Sequence, residues 1–386
     1  MMRVGLFTNN YLPMRGGVPH AVEALRAGLE QRGHPAYVFA PRARGSTETS
    51  ATVFRAPSIP ALTYPGFSLA LPVWPGLPTK VRALDLGIFH AHHPFLLGQT
   101  ARRLATQFRR PLIFTYHTRY EKYAHYVPFV QRVVQRQAIN RSVRFSNQAD
   151  LVIAPSHGAA KLIHQLGVTS RIEVVPTGLD LKRFAPGDRL LARDRLGLPA
   201  EAPILLSVGR LDREKNLDFL LRAFEGIAYR LPAARLVLVG SGTEEGRLKR
   251  VASRLRLDTK ILFVGSVPQE RTAEYYRAAD LFVFASETET QGLVIAEAHA
   301  SGLPVVAVRA CGVDEVVRDG VTGLLLPAST GLFASAVHAL LTGDSKRDQM
   351  GRAAREVAEK ECSTEQSVAK HIELYRELHE QREKGR

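Results

Sequence analysis

The sequence predicts an α/β protein built from two doubly wound halves, each a parallel sheet flanked by helices. Three observations point there. The 386 residues exceed one ordinary domain and suit two, each with its own core. Short apolar runs alternate with stretches of helical periodicity, the pattern of an open parallel sheet. That alternation pauses after Val174-Val175-Pro176 and begins again past Gly187, placing a junction between them.

In the first half, Arg3 to Asn9 reads as a strand, followed by Gly16-Gly17 and then Ala21, Val22, Leu25 and Leu29 at helical spacing. Tyr37–Ala40, Gly87–His90, Leu112–Thr115 and Ala149–Ala154 supply further strands. Between them, Pro57 to Pro78 carries Tyr64, Phe67, Leu69, Leu71, Val73 and Trp74 among repeated prolines. Proline is excluded from central strands and helix interiors, so this stretch reads as an irregular loop, packed on its own domain or left as an apolar surface. In the second half, Ile204–Val208, Arg235–Val239, Ile261–Val264, Leu281–Ala285 and Pro304–Val308 are strands. Leu217, Leu220, Leu221, Phe224, Ile227 and Leu231 form one helical stripe. A last helix, about Thr364 to Glu380, needs a surface for Val368, Ile372, Tyr375 and Leu378, on either half.

Composition narrows the function. With 45% hydrophobic and 23% charged residues the chain is a folded protein rather than a disordered one. Cys311 and Cys362 are its only cysteines, which argues against a disulfide framework and for a reducing compartment. The apolar start, Met1 to Phe7, is too short for a signal peptide or a membrane helix, so membrane contact is expected to be peripheral. The net charge of +15 is uneven: residues 1–175 hold 21 Lys and Arg against 7 Asp and Glu, and the remainder 31 against 30. Such asymmetry points to an anionic partner, a lipid surface or a nucleic acid. Nucleic-acid binding is the distant alternative, because neither stacking aromatics nor a known reading module accompanies the charge.

Two motifs carry the chemistry. Ser286-Glu287-Thr288-Glu289-Thr290-Gln291-Gly292-Leu293-Val294-Ile295-Ala296-Glu297 follows an apolar strand and precedes Ser301-Gly302-Leu303-Pro304-Val305. Open α/β sheets bind ligands at the carboxyl ends of their strands, where Glu289 and Glu297 would hold different hydroxyls of one molecule. Gly209-Arg210-Leu211-Asp212-Arg213-Glu214-Lys215-Asn216 puts Arg210 and Lys215 on a strand-to-helix turn, a place suited to an anion. Gly16-Gly17 allows close backbone approach to a ligand. No GxGxxG follows the first strand, which disfavours a dinucleotide-dependent oxidoreductase.

On these motifs the chain resembles the retaining glycosyltransferases of family 4 over almost its whole length, and within them the glucosyl- and galactosyl-diacylglycerol synthases. The resemblance implies the GT-B fold, two Rossmann-like doubly wound domains facing across a cleft. Residues 1–175 would be an acceptor-binding, membrane-facing domain, 176–363 the nucleotide-sugar domain, and 364–386 a terminal helix returning to the first. It implies that Arg210 and Lys215 grip the donor diphosphate, Glu289 contacts the transferred sugar and Glu297 accepts from the donor ribose. Gln291 stands where many members carry Phe, which weakens inference about sugar specificity. His117, in Phe114-Thr115-Tyr116-His117-Thr118, matches the family's active-site histidine, a hydrogen-bonding partner of the sugar rather than a general base. Donor contacts are also expected from Gly16, Gly17, Gly209, Gly240, Gly242, Val267, Gly292, Leu293 and Val294.

No metal is expected. His90, His92 and His93 lack a carboxylate or cysteine complement, and the chain has no Asp-x-Asp. No obligatory cofactor is implied beyond the nucleotide sugar, UDP-glucose or UDP-galactose. The acceptor is expected to be diacylglycerol, reached at the inner face of the cell membrane by a cytoplasmic, peripherally bound enzyme. Tyr120, Tyr123, Tyr126, Phe129, Arg132, Val133 and Arg136 form the candidate acceptor and membrane segment. Its apolar and basic residues would lie in the headgroup region, or else join the domain core. The alternative is a GDP-mannose-dependent or other family 4 transferase acting on phosphatidylinositol, a polyprenyl-linked sugar or a soluble sugar.

Overall fold

The computed structural model describes residues 1–14, 16–42, 51–61, 67–71, 73–120 and 131–384, with side chains from 133 onward in the last stretch. The chain forms two compact units, Met1–Gly178 with Thr364–Arg386, and Leu179–Ser363.

The first unit contains β1 (Val4–Phe7), α1 (Gly17–Gln31), β2 (Ala36–Pro41), β3 (Val53–Ala56), β4 (Ser58–Pro60), β5 (Ser68–Ala70), α2 (Leu77–Leu84) and β6 (Ile88–Ala91). It continues with α3 (Leu97–Phe108), β7 (Leu112–Thr115), α4 (Gln131–Ser146), β8 (Leu151–Ala154), α5 (His157–Gln165) and β9 (Ile172–Val174). Seven parallel strands lie in the order β3-β2-β1-β6-β7-β8-β9. The central strands β1, β6, β7 and β8 are buried at every position, as parallel strands covered on both faces must be. Chain order reverses between β1 and β6, which opens a crevice at their carboxyl ends.

The second unit holds α6 (Arg189–Leu196), β10 (Ile204–Val208), α7 (Leu217–Arg230), β11 (Arg235–Val239), α8 (Glu245–Arg254), β12 (Ile261–Gly265) and α9 (Gln269–Ala278). β13 (Leu281–Phe284), α10 (Leu293–Ala300), β14 (Val305–Val308), β15 (Gly323–Leu326), α11 (Thr330–Thr342) and α12 (Asp344–Glu361) complete it. Its six parallel strands run β12-β11-β10-β13-β14-β15, with the reversal between β10 and β13. On α7 the stripe Leu217, Leu220, Leu221, Phe224 and Ile227 is buried against this sheet.

The structure differs from the sequence expectation in two places. The first unit extends to Gly178 rather than 175: β9 pairs with β8, and Ser367 Oγ donates to the Pro176 carbonyl at 2.7 Å, tying the junction to the C-terminal segment. The stretch from Pro57 to Pro78 is not wholly irregular, because β4 and β5 pair antiparallel around residues 62–66, which lie outside the described residues. Each strand is three residues long, so the flanking prolines sit at ends where no ladder hydrogen bond is lost. The terminal helix, α13 (Thr364–Lys384), belongs to the first unit, where Val368, Ile372, Leu374, Tyr375 and Leu378 join the core that covers β1.

Candidate active site

The second unit gathers its charged motif residues at the reversal between β10 and β13. Beyond β10 the chain turns at Gly209, whose N–H donates to the Val239 carbonyl; Leu211 N–H donates to the Ser241 carbonyl. The two turns touch so closely that a Cβ on Gly240, with φ of 138°, would lie 1.8 Å from the Gly209 carbonyl oxygen. Only glycine fits there. A small pocket beside these turns is lined by Ser207, Gly209, Arg210, Lys215 and Phe284, among others.

Arg210 is held on both sides. It donates to Asp212 and, at 2.5 Å, to Glu214, whose side chains are almost wholly buried. Asp212 also accepts from Thr243 N–H at 2.8 Å and from Thr243 Oγ1 at 2.9 Å, binding the turn after β10 to the one after β11. Lys215, the last residue of the 3₁₀ turn Arg213–Lys215, donates to Glu289 Oε1 at 2.5 Å. Burial alone would raise the Glu289 carboxyl, but the Lys215 ammonium holds it below its ordinary value. Arg210 and Lys215 thus face three carboxylates, which changes the expectation of a simple basic pair: attraction for an anion must come from directed N–H groups and not from net charge.

Gly292, in the left-handed region with φ of 74°, begins α10, followed by Leu293 and Val294. One helical turn later, Glu297 is paired with Tyr276 of α9, whose hydroxyl lies 2.8 Å from Glu297 Oε2 and 3.1 Å from the Val294 carbonyl. Burial pushes the Glu297 carboxyl up to about 7, against the lowering influence of Tyr276, Arg183 and Gln269. Gly242 packs its α-carbon against Leu211, and Val267 lies partly buried against the sheet core.

In the first unit, Gly16 caps α1 with φ of 149°, and Gly17 is the first helical residue. His117 stands just past β7, its Nε2 2.9 Å from His92 Nδ1 in the loop after β6. Tyr120 packs edge-on against Phe95 and Tyr116, on the side of the core. Val133 and Arg136 are exposed on α4, whose inner face is Ser142, Phe145 and Ser146. Tyr123, Tyr126, Phe129 and the side chain of Arg132 lie outside the described residues.

Sequence reasoning gave no role to Asp212, Glu214, Tyr276 or His92. Asp212 and Glu214 were visible as carboxylates two and four residues after Arg210. Tyr276 and His92 reach their partners only through the fold.

Residues 188–357 match the family model described as Glycosyl transferases group 1, and residues 15–183 match Glycosyltransferase Family 4. The chain is 31% identical to an alpha-monoglucosyldiacylglycerol synthase of Streptococcus pneumoniae, over 88% of this chain and 78% of that protein. A synthase of the same name from Acholeplasma laidlawii is 29% identical, covering 94% and 96%. A GDP-mannose-dependent alpha-(1-6)-phosphatidylinositol monomannoside mannosyltransferase of Mycolicibacterium smegmatis is 31% identical, covering 91% and 92%. Among solved structures, sucrose-phosphate synthase from Thermosynechococcus elongatus superimposes with a TM-score of 0.84 at 26% identity, covering 98% of this chain and 99% of that one. The Anabaena protein HepE, solved with UDP and glucose, shares the fold with a TM-score of 0.79 at 23% identity, covering 98% and 100%. With both sheets doubly wound and both family models matched, the chain belongs to the family 4 glycosyltransferases of the GT-B fold and is a hexosyltransferase similar to the alpha-monoglucosyldiacylglycerol synthases.

Proposed function

We propose that this enzyme transfers glucose or galactose from a UDP-sugar to the free hydroxyl of 1,2-diacylglycerol, with retention of configuration. The observation that carries the reading is the placement of Arg210, Lys215, Glu289 and Glu297 around the carboxyl ends of β10 and β13, cations for a diphosphate beside carboxylates for hydroxyls. The acceptor class is supported by the likeness to two monoglucosyldiacylglycerol synthases.

A diphosphate arriving beside Lys215 competes with Glu289 for the ammonium. The exchange frees Glu289 to accept from sugar hydroxyls, while Arg210 stays fixed by Asp212 and Glu214. As the bond from the sugar's anomeric carbon to the β-phosphate oxygen breaks, its electron pair moves onto that oxygen, and the energy of interaction with Arg210 and Lys215 grows. The acceptor hydroxyl attacks the anomeric carbon from the same face and its proton passes to the departing phosphate oxygen, giving UDP and an α-glycoside. Glu297 accepts from the donor ribose, Val267 and the turn at Gly240 and Gly242 adjoin the base, and Gly209, Gly292, Leu293 and Val294 contribute backbone groups. Gly16 and Gly17 supply N–H groups to phosphate or sugar, and His117 hydrogen-bonds the transferred sugar. In this reading the two cations take the place of an obligatory metal ion.

Peripheral attachment at the inner face of the cell membrane completes the reading. It is supported by exposed Ile59, Leu69, Leu71 and Val73 on and beside the β4–β5 hairpin, by exposed Val133 on α4, and by the positive charge of residues 1–175. Among the described residues no helix is long and apolar enough to cross a membrane.

The test presents UDP-glucose, UDP-galactose and GDP-mannose separately with anionic vesicles containing diacylglycerol. One of the UDP-sugars is expected to yield an α-linked glycolipid, with turnover unchanged by EDTA. A β-linked product overturns retention, and transfer from GDP-mannose to phosphatidylinositol alone replaces both donor and acceptor.

A further inference from the structure

The string His90-Ala91-His92-His93 leaves β6 at the sheet reversal of the first unit, and His117 leaves the neighbouring strand β7. The fold stacks His90 on His92 and sets His117 edge to edge with His92, its ring nearly parallel. Ring centroids are 4.3 Å apart for His90 and His92 and 5.2 Å for His92 and His117, with interplanar angles of 29° and 22°. The ring nitrogens make separate bonds rather than converging on one point. His90 Nδ1 lies 2.6 Å from the Tyr375 hydroxyl of α13 and its Nε2 2.7 Å from Thr115 Oγ1. His93 Nδ1 accepts from Asn9 N–H at 3.1 Å. His92 Nδ1 and His117 Nε2 meet at 2.9 Å.

The last contact differs in kind from those of His90. A hydroxyl rotates to donate or accept, so Thr115 and Tyr375 satisfy His90 in either tautomer. Two neutral imidazoles facing each other cannot adjust in this way: one nitrogen must carry the proton and the other must not. Both rings are neutral, because burial pulls His117 down to about 3 and His92 well below its ordinary value. The tautomers are therefore complementary, and choosing one chooses the other.

We propose that His92 is a positioning residue for His117: the Nδ1 to Nε2 hydrogen bond commits His117 to a single tautomer and a single ring orientation. His92 Nε2 is buried with no partner among the described residues. A bare nitrogen costs less there than an unpaired N–H, which puts the proton on His92 Nδ1, makes His117 Nε2 the acceptor and leaves His117 Nδ1 as the protonated donor. A sugar hydroxyl that both donates and accepts meets a defined partner there, and it is turned one way rather than two. The mechanistic value of this rests on the reading of His117 as a sugar contact; the shared proton does not.

The experiment therefore has separate readouts. Nitrogen-15 spectra of the full-length, histidine-labelled protein, with the His117 signals identified by their loss in His117→Asn, are expected to show one protonated and one bare nitrogen. In His92→Phe, which keeps a stacked ring and removes both nitrogens, the two His117 signals should move toward each other as the tautomers mix. With the donor and vesicles of the transfer assay, His92→Phe should lower kcat by roughly tenfold or more, with UDP affinity and unfolding temperature unchanged. His92→Asn, whose amide N–H can donate to His117 Nε2 from near the Nδ1 position, should recover most of the loss. Averaged nitrogen signals for His117 in the unsubstituted protein overturn the proposal, as does equal kcat for the Phe and Asn variants. If the spectra behave as expected but His117→Asn turns over normally, the shared proton stands and the sugar-binding role of His117 falls.

Discussion

Glu297 sets the most direct pH dependence at the scale of single residues. With its carboxyl pushed up to about 7, much of it is protonated in the folded protein near neutrality, and the Tyr276 hydroxyl retains the Val294 carbonyl as an acceptor. A folded-state value above the unfolded one means that this group favours folding below about 4.5 and that the contribution fades as pH rises through about 7. Relative to the native protein, Glu297→Gln should therefore gain stability between pH 5 and pH 8, as read from unfolding temperatures. If, as proposed, the ribose hydroxyls donate to an ionised Glu297, UDP-glucose should bind about tenfold more tightly at pH 8 than at pH 6. Calorimetry on Glu297→Gln should lose that slope; a slope retained by the variant removes Glu297 from the ribose. The spacing of Glu289 and Glu297 was legible because both stand on one strand-to-helix segment. Their partners were not: Lys215 and Glu289 are 74 positions apart, and His92 and His117 are 25 apart, distances that only the sheet order closes.

At the level of elements, the wholly buried strands and amphipathic helices could be read from apolar runs and helical spacing. The partly buried strands could not. β3, β9 and β15 combine three or four residues with only partial burial, too little for an apolar run or a period to show. The docking of α13 was legible only as a stripe in search of a surface. Its partner is α1, where Gly28 lets the two helices approach: an added Cβ would lie 2.5 Å from Val368 Cγ2. Val368 is β-branched and fully buried, so it has little room to turn away. Gly28→Ala is expected to destabilise the protein by about 1–3 kcal/mol despite its better helix propensity. Combining it with Val368→Ala should cost less than the two separate losses added together, measured by urea unfolding. Simple additivity would mean that the contact is not tight.

Across the whole molecule, the excess charge falls in the unit that also carries the exposed apolar residues Ile59, Leu69, Leu71 and Val73 on and beside the β4–β5 hairpin. The terminal segment from Thr364 adds five cations and five anions to the first unit, which leaves its excess at +14 and that of the second at +1. Binding to anionic vesicles should therefore weaken steeply as salt is raised, while binding to zwitterionic vesicles stays weak throughout. Ile59→Ser with Val73→Ser should lower anionic-vesicle affinity by roughly tenfold through the lost apolar contribution, without altering UDP affinity. Normal vesicle sedimentation of that variant would move the membrane contact away from the hairpin.

Because the core over β1 is finished by Val368, Ile372, Leu374, Tyr375 and Leu378, the unit translated first is the one completed last. The stretch Leu179–Ser363, contiguous in sequence, can assemble as it leaves the ribosome, whereas the amino-terminal sheet waits for the helix that starts at Thr364, a reversal of the usual amino-to-carboxyl order of assembly. A premature stop near residue 363 would thus spare the lobe bearing Arg210 and Glu297 and strip the earlier-made one of its cover, including the phenol that meets His90.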